Sequence, residues 1–491
     1  MSLPAVNMEE LDGALGVLPP SAGNLHALVG VSSKGPLNVP ATFARVKDIT
    51  KTYESGPLVE SACHYVDRYG KPVILVRADA TIPGTVSAVE SFNAAGTGPA
   101  TGTSVVTVSE SPPAAPVDDL EIVLMIVKGG TVGTVGITYQ LSVDGGRTKG
   151  AVQSLGTATA ITAPGVGVKL ELAAGTLVAG ESYQADATAP QWEGPGLQAA
   201  LDALAATTVA WDVVQIVGEI DPNTFDVIEL KIAGMQAAGK PRAWIGNTRM
   251  PDGGESEATY LGALSTEFAS KTTLFGELCA GACKLTSSVS GRKYRRPISH
   301  AVAGRQASVS EEINIAAVDT GALPGVAIRD INGNIDEHDE AINPGLDDAR
   351  FTVLRTWDGY QGVYVCRPRI FSPDGSDFQL MPHRRVMNLG EIALRVYLIH
   401  RCNKPILVNR TTGFILETEA LDIEAGANAV LAARLLAKPK ASDAVFVLAR
   451  NDNVLSTKTI NGDARITPLA YPEFFNITIG YYNPALQVVA V

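Results

Sequence analysis

The 491-residue chain has a formal net charge of -12, 18% charged residues and five cysteines. This length predicts about two to four domains, with cores large enough to fold without disulfides. The negative charge opposes nonspecific nucleic-acid binding, because such binding depends on phosphate neutralisation by Lys and Arg. The longest apolar run, Ile122–Val127, is far shorter than the roughly 20 residues of a membrane-spanning helix, so no membrane insertion is expected.

The cysteine count and the start of the chain bear on the compartment. An odd number of cysteines, with no signal-peptide pattern in the first ten residues, predicts free thiols in a reducing cytoplasm. The charged fraction is below the average of roughly 25%, which favours a protein with much surface buried against partners.

Residues 1–20 have little periodicity and several prolines and glycines, and we interpret them as an N-terminal arm. A frayed terminus is the alternative, and composition alone favours it. An α/β unit follows, predicted over residues 21–83 and 194–345. Its first part has a strand at Asn24–Ser32, a helix at Leu58–Tyr69 ended by Gly70, and an unalternating strand at Pro72–Arg77 typical of a sheet covered on both faces.

Helix and strand patterns alternate again from residue 194, which predicts parallel pairing with right-handed crossovers. One long strand is expected between Thr273 and Leu285. The intervening residues 84–193 are rich in Gly, Ala, Thr, Ser and Val and sparse in charge. Their short alternating runs predict an inserted all-β sandwich or barrel.

The C-terminal residues 346–491 predict an α+β assembly domain. A hairpin is expected from Phe351–Trp357 and Val363–Phe371, with Pro368 marking an edge strand. Its later elements are helices at Arg384–Ile399 and Glu424–Ala437, strands at Ala444–Leu448, Arg465–Ala470 and Glu473–Gly480, and an apolar tail at Leu486–Val491. The predicted fold class is therefore a mixed α/β core with an inserted all-β domain and an α+β C-terminal domain.

No motif for catalysis or cofactor binding occurs with the spacing and structural context that its chemistry requires. No GxxxxGK[ST] loop occurs, and Gly130–Gly136 has the wrong spacing for a dinucleotide site. Ser104 falls in the β insertion, outside the α/β unit that a hydrolase would need. Ser290–Lys293 fits SxxK by spacing alone. We therefore expect no catalytic residue, no cofactor and no enzymatic activity, with an inactive or unrecognised α/β hydrolase as a rival.

Motifs for metal binding also fail. Asp330–Asp336 resembles a calcium loop, but its Gly is at the fourth place rather than the sixth. Cys279 and Cys283 have a spacing found in metal sites without a second ligand pair, which favours two buried thiols on one strand. No metal site is expected. The basic cluster Arg292–Arg296 and the acidic loop Asp330–Glu340 are both predicted to lie at the surface.

The order of these pieces resembles the sheath proteins of contractile phage tails and related injection machines. The resemblance covers most of the chain outside the β insertion. The segments that carry it are Leu28–Pro36, Tyr69–Arg77, Trp211–Gly218, Gly362–Arg369 with Arg384–Asn388, and Pro472–Ile479.

The resemblance implies a subtilisin-like α/β domain without a working triad, and chain ends that add strands to neighbouring subunits. The product would be a helical sleeve of identical subunits around an inner tube, contracting to drive that tube through a target envelope. Implied partners are copies of the chain, a tail tube protein, and baseplate and tail-terminator proteins, with no nucleic acid. The implied location is a virion tail or a contractile injection particle assembled in the bacterial host cytoplasm.

The same resemblance implies two sets of site residues. The assembly set is Leu3, Pro4, Ala5, Val6, Phe474, Ile477, Ile479, Val488 and Val489. The set facing the tube is Arg434, Lys438 and Lys440, for which a solvated basic face is an equal alternative. The main rival function is a nonenzymatic capsid-like protein, or one that binds a receptor or carbohydrate through the β insertion.

Overall fold

A computed structural model describes residues 25–330 and 336–480 of the chain. The first described part contains β1 His26–Gly30, β2 Ala41–Phe43, α1 Val46–Tyr53, α2 Pro57–Tyr69 and β3 Val73–Arg77. Gly70 ends α2 in the left-handed conformation, with φ 61°, and its N–H donates to the carbonyl oxygens of Tyr65 and Val66. The two strands and the helix predicted for this part are thus confirmed, as β1, β3 and α2.

Short antiparallel strands occupy the residues between β3 and the next helix. Ile122, Leu124 and Ile126 of the long strand β7 point into a core shared by both larger sheets of this region. The sheets have the orders β10-β9-β7-β14-β4, with β5 also on β14, and β11-β12-β6; β8 pairs with β13. The strands are β4 Thr85–Val86, β5 Glu90–Phe92, β6 Val106–Val108, β7 Leu120–Lys128, β8 Gly130–Thr131, β9 Thr138–Ser142, β10 Gln153–Ser154, β11 Ala160–Ala163, β12 Val168–Leu172, β13 Thr176–Leu177 and β14 Ser182–Thr188.

The chain then returns to the first sheet and completes it. The returning elements are α3 Gly194–Ala206, β15 Val213–Glu219, α4 Pro222–Ala237, β16 Ala243–Asn247, α5 Glu257–Glu267 and β17 Gly276–Cys279. The strand order is β17-β16-β15-β1-β3-β2, and every neighbouring pair is parallel except β2 with β3. Ala27 and Val29 face one hydrophobic core while Leu28 faces the other, so the sheet is covered on both faces, as predicted.

A small antiparallel sheet of order β19-β18-β20 follows, built from β18 Ala282–Thr286, β19 Lys293–Pro297 and β20 Val326–Ala327, with α6 Ser299–Ser308 and a 3-10 turn at Val318–Thr320. The prediction of a single strand over 273–285 is wrong, because these residues form two strands, β17 and β18, separated by a short irregular segment. Gly281 lies at this break with φ 104°, a conformation that glycine adopts readily.

The C-terminal part contains β21 Leu354–Trp357, β22 Tyr360–Val365, α7 Met381–Ile399, α8 Glu417–Leu431, a π-helical turn Ala432–Leu436, β23 Ala441–Leu448, α9 Val454–Thr457 and β24 Gly462–Pro468. The first hairpin is shorter than predicted, so Pro368 lies beyond its second strand. The strand predicted over Glu473–Gly480 is wrong for the single chain, since these residues have no strand or helix. Among the described residues, no helix is long and apolar enough to cross a bilayer.

Candidate functional site

The hairpin β23–β24 packs one face against α7 and α8 and exposes the other. Ala444, Phe446 and Leu448 are buried in a core formed with these helices. Val445 and Val447 alternate with them and are 40% and 49% exposed. This period of two is the pattern of a sheet with one buried face. The hairpin therefore has a fixed position on the body of the protein.

The outer edge of β24 is open. The Ala449 N–H donates to the Asn461 carbonyl oxygen at 2.8 Å, so these two residues form a hydrogen-bonded pair. Every second residue pair of the hairpin, counted from this one, is therefore also hydrogen-bonded. Because bonded and unbonded pairs alternate in an antiparallel ladder, Ala464 and Ile466 direct their N–H and C=O groups away from β23. Within residues 25–330 and 336–480, no hydrogen bond reaches these outward backbone groups.

A short segment after β24, Leu469–Glu473, holds the chain against the body, and we call it the tail root. The Tyr471 hydroxyl donates to the Glu312 carbonyl oxygen, and the His383 Nε2 lies 3.2 Å from the Leu469 carbonyl oxygen. The His383 and Tyr471 rings pack with their centroids 5.2 Å apart. Glu473 pairs with Arg367 at 2.9 Å.

The residues that follow, Phe474–Gly480, form what we call the tail segment, and they leave the body. Phe474, Phe475, Ile477 and Ile479 are between 75% and 90% exposed. These residues have no backbone partner in the part of the chain that the structure describes. Large apolar side chains in an alternating, unpaired sequence are typical of a strand whose sheet is supplied by another molecule. The predicted assembly residues Phe474, Ile477 and Ile479 lie here. Leu3, Pro4, Ala5, Val6, Val488 and Val489 lie outside the described residues.

The predicted tube-facing residues follow the end of α8. This helix begins at Glu417, seven residues before the predicted start, and continues into the π-helical turn. Arg434 and Lys438 are exposed, as a contact with another protein would require. Lys440 is 16% exposed and its ammonium pairs with Glu311. The contact of these three residues with a tube stays a prediction.

A buried ion pair that sequence reasoning missed joins α7 to the main sheet. Arg385 is fully buried, and its Nε lies 2.9 Å from Oδ2 of Asp212, the residue before β15. Its Nη1 also donates to the Gln306 carbonyl oxygen at 3.2 Å. Burial raises the pKa of Asp212, and the Arg385 guanidinium opposes that rise. Helix α7 is thereby anchored to the amino end of β15.

A second buried ion pair joins the main body to the strands between β3 and α3. Arg296 Nη2 lies 2.6 Å from Asp118 Oδ2, and Nη1 donates to the Asp119 carbonyl oxygen at 2.7 Å. Burial raises the pKa of Asp118 to about 7, although Arg296 opposes the rise. A salt link at this depth resists separation of the two regions, because parting it would leave a buried charge unpaired.

The basic cluster and the acidic loop are not both at the surface, contrary to the prediction. Arg295 binds Glu337 through two nitrogens, at 2.8 and 3.2 Å, and Lys284 pairs with Asp336 at 2.6 Å. Residues 337–340 are buried. Arg295 of the basic cluster and Glu337 of the acidic loop therefore neutralise each other, whereas Lys293 of the cluster is exposed.

His338 in this loop is held between two carboxylates. Its Nδ1 lies 2.7 Å from Glu257 and its Nε2 lies 2.9 Å from Glu340. Burial lowers the pKa of His338, but the hydrogen bonds with Glu257 and Glu340 outweigh burial and raise the pKa to about 9. The imidazolium therefore ties α5 to the loop at neutral pH.

The two cysteines whose spacing resembles a metal site lie on different strands. Cys279 and Cys283 are free, buried and located on β17 and β18, so the prediction of one shared strand is wrong. Burial raises the pKa of both thiols. In the part of the chain that the structure describes, no group of three or more His, Cys, Asp or Glu side chains is placed to hold a metal ion.

Comparison with protein families gives a match to the N-terminal domain of DUF2586 over residues 3–369, well over half of the chain. The chain belongs to the DUF2586 family. No match was found among curated proteins.

Solved structures extend the comparison to this DUF2586 protein's whole fold. The sheath of the extracellular contractile injection system PVC, in its contracted state, has a TM-score of 0.53 and 12% identity, covering 98% of each chain. The contracted helical sheath of the anti-feeding prophage has a TM-score of 0.52 and 11% identity, covering 98% of this chain and 99% of that chain. The Listeria innocua sheath tail protein has a TM-score of 0.46 and 12% identity, covering 91% of this chain and 96% of that chain. The resemblance to tail sheaths and the mixed α/β class are confirmed as statements about fold.

Proposed function

We propose that this DUF2586 protein is the structural subunit of a contractile tail sheath. It would polymerise as a helical sleeve around an inner tube and contract to drive the tube through a target envelope, without catalysing a reaction. The fold shared with two contracted sheaths over 98% of the chain supports this proposal. The observation that carries it is the apolar tail segment, which has no partner strand among the described residues, because such a segment needs a sheet from another subunit.

Strand exchange is the assembly chemistry that fits this segment. Adding it to an open sheet edge of a second copy pairs its backbone groups and buries its phenylalanine and isoleucine side chains. Since every subunit donates to the next without closing a ring, the product is a helical tube. The other predicted assembly residues, Leu3 to Val6 with Val488 and Val489, would take part in the same exchange.

Contraction would then move rigid subunits that stay connected by their arms. The buried ion pairs of Arg385 and Arg296 hold the regions of one subunit together, and the tail root fixes the point where the donated segment leaves. Subunits could slide and rotate past one another from an extended packing to a tighter one, with no nucleotide consumed.

The proposed partners follow from this role. Arg434, Lys438 and Lys440 would face a tail tube protein, and the two ends of the sleeve would meet baseplate and tail-terminator proteins. The strands between β3 and α3 would decorate the outside. The particle would be a virion tail or an injection device, assembled in the bacterial host cytoplasm.

Electron microscopy of the purified full-length chain tests the proposal. We expect striated tubes or contracted sleeves from the wild type, and soluble folded subunits after deletion of the residues beyond Tyr482. Replacing Ile477 and Ile479 together by Asp should also abolish tubes, because burying two unpaired carboxylates in the new sheet costs too much free energy. Leu230→Asp is the control, since Leu230 is 72% exposed on α4. Discrete rings or monomers from the wild type, or tubes from the double variant, would refute the proposal.

A further inference from the structure

The carboxyl ends of β1 and β15 flank a crevice at the point where the strand order of the main sheet reverses. Strands β3 and β2 lie on one side of β1, while β15, β16 and β17 follow on the other. Helix α2 packs on one face of this sheet and α3 on the opposite face, so the chain connections diverge there. Open α/β sheets bind their ligands in a crevice of this kind. Here the crevice holds the side chain of Trp192, which lies two residues before α3.

The indole ring of Trp192 rests on the backbone of β15. A Cβ at Gly218 would lie 2.7 Å from Cζ3 and 2.9 Å from Cζ2 of the ring, so only glycine at this position leaves room for it. The Trp192 side chain is 4% exposed and belongs to the core between the sheet and α3. It lines two cavities, one of about 370 Å³ beside Glu219 and one of about 80 Å³ beside His300. The crevice therefore fits a flat heteroaromatic ring, and the chain supplies that ring itself.

Trp192 lies in the two-stranded connection through which the inserted strands, β4 to β14, leave and rejoin the main sheet. We call this connection the neck, and its residues are 79–84 and 189–193. Ile82 and Gln191 exchange two backbone hydrogen bonds, each of 2.9 Å, and the Glu193 N–H donates to Thr81 Oγ1 at 3.0 Å. A two-stranded ribbon of this kind is marginally stable by itself. The neck therefore needs further contacts to stay closed, and the buried indole provides one.

The main body also places an aromatic side chain among the inserted strands. Tyr294 belongs to β19, outside residues 84–193, but its side chain is 8% exposed and buried in the core of the inserted strands. The Arg296 guanidinium lies 4.9 Å from the centroid of the Tyr294 ring while it pairs with Asp118. Each region thus contributes one ring to the core of the other, so neither core is complete when the two regions separate.

We infer that the crevice between β1 and β15 is a binding site for an indole ring, that Trp192 is its built-in ligand, and that this contact fixes the inserted strands to the main sheet. With Tyr294 as the reciprocal contact, the inserted strands move with the main sheet as one rigid unit and do not swing about the neck. The inference concerns a single chain, so it does not depend on the proposed function. Free indole is the probe that should enter the crevice when the Trp192 side chain is removed.

The test measures amide hydrogen exchange in the full-length protein and compares the neck residues Ile82 and Gln191 with residues 26–30 of β1. In the wild type, a fixed neck opens only when the whole chain unfolds, so the neck and β1 should be equally protected. In Trp192→Ala, the neck should open locally and exchange about tenfold or more faster than β1, because loss of a buried tryptophan shifts an opening equilibrium by roughly 100-fold. Millimolar free indole should return the two rates towards equality.

Two further sets of variants are compared in the same assay. Trp357→Ala removes a tryptophan that is 39% exposed on β21, and it should leave the neck and β1 equally protected with or without indole. Tyr294→Phe keeps the ring and should keep the neck closed, whereas Tyr294→Ala should open the neck as Trp192→Ala does.

An unchanged ratio of neck to β1 exchange in Trp192→Ala would show a core residue that does not fix the two regions, and would overturn the inference. No response of that variant to indole would overturn it too. Should the Trp192→Ala protein not fold, the wild type decides the question by itself. Equal protection of the neck and β1 would then support the inference, and a neck that exchanges about tenfold or more faster would refute it.

Discussion

Replacing Arg385 by Met tests whether the buried ion pair with Asp212 fixes the C-terminal helices to the main sheet. The substitution keeps an apolar chain of similar length but leaves the Asp212 carboxylate, 4% exposed, without its cation. Removing one partner of a buried pair costs roughly 3–5 kcal/mol. This cost cannot exceed about 4 kcal/mol, because the Asp212 carboxyl can instead be protonated, and protonating a carboxyl of ordinary pKa at pH 7 costs about that much. We therefore expect the free energy of unfolding to fall by about 3–4 kcal/mol at pH 7.

Urea unfolding followed by tryptophan fluorescence measures this loss, since Trp211 is buried beside Asp212. The loss should shrink as the pH falls towards 4. A carboxyl whose folded pKa is raised destabilises the protein only when the unfolded state would ionise it. The matched control is Arg385→Met with Asp212→Leu, which removes both charges and should recover most of the stability. A loss below about 1 kcal/mol, or no recovery in the double variant, would contradict the reasoning.

Two further predictions concern stability. The folded pKa of His338, about 9, is above its unfolded value, so its stabilisation should be complete below about pH 6.5 and disappear as the pH rises through 9; His338→Gln should abolish this dependence in urea titrations at pH 6, 8 and 9.5, and an unchanged profile would contradict it. Gly276→Ala should lower the free energy of unfolding by about 1–3 kcal/mol, because a Cβ there would overlap the buried Trp244 indole. Gly253→Ala, where a Cβ meets open space, is the control in the same denaturation assay, and equal effects of the two substitutions would refute the packing argument.

The sequence predicts those elements whose cause is local. Continuous apolar runs gave the buried strands β1 and β3, and Gly70 gave the end of α2. Helix α1 was missed because only Ile49 and Tyr53 of its eight residues are buried, which is too short a pattern to recognise. Contacts between distant charges were also missed. Arg296 and Asp118 are 178 residues apart, and neither segment alone indicates that it is buried with the other.

The candidate site likewise has one part with a local sequence signal and one part without it. The alternation of Phe475, Ile477 and Ile479 predicts a strand, but strand formation requires a partner, and the described residues 25–330 and 336–480 supply none for this segment. The contact between α8 and β23, in which Asn428 and Glu424 accept hydrogen bonds from the backbone N–H groups of Phe446 and Leu448, had no such signal. In the sequence, Glu424 and Asn428 have the spacing of the polar, solvent-facing side of an amphipathic helix. Only the packing of α8 on β23 places these side chains against the backbone of that strand.

The position of the tail root has a consequence for movement within the proposed sheath. Arg385 holds α7 to the six-stranded sheet, and Arg296 holds the strands between β3 and α3 to the sheet β19-β18-β20. Sliding of subunits past one another should therefore leave the interior of each subunit unchanged. The contacts of Tyr471 and Glu473 with the body stop directly before Phe474. If subunits slide while their tails stay inserted in neighbouring sheets, the backbone torsions that change most should be those joining Glu473 to the tail segment.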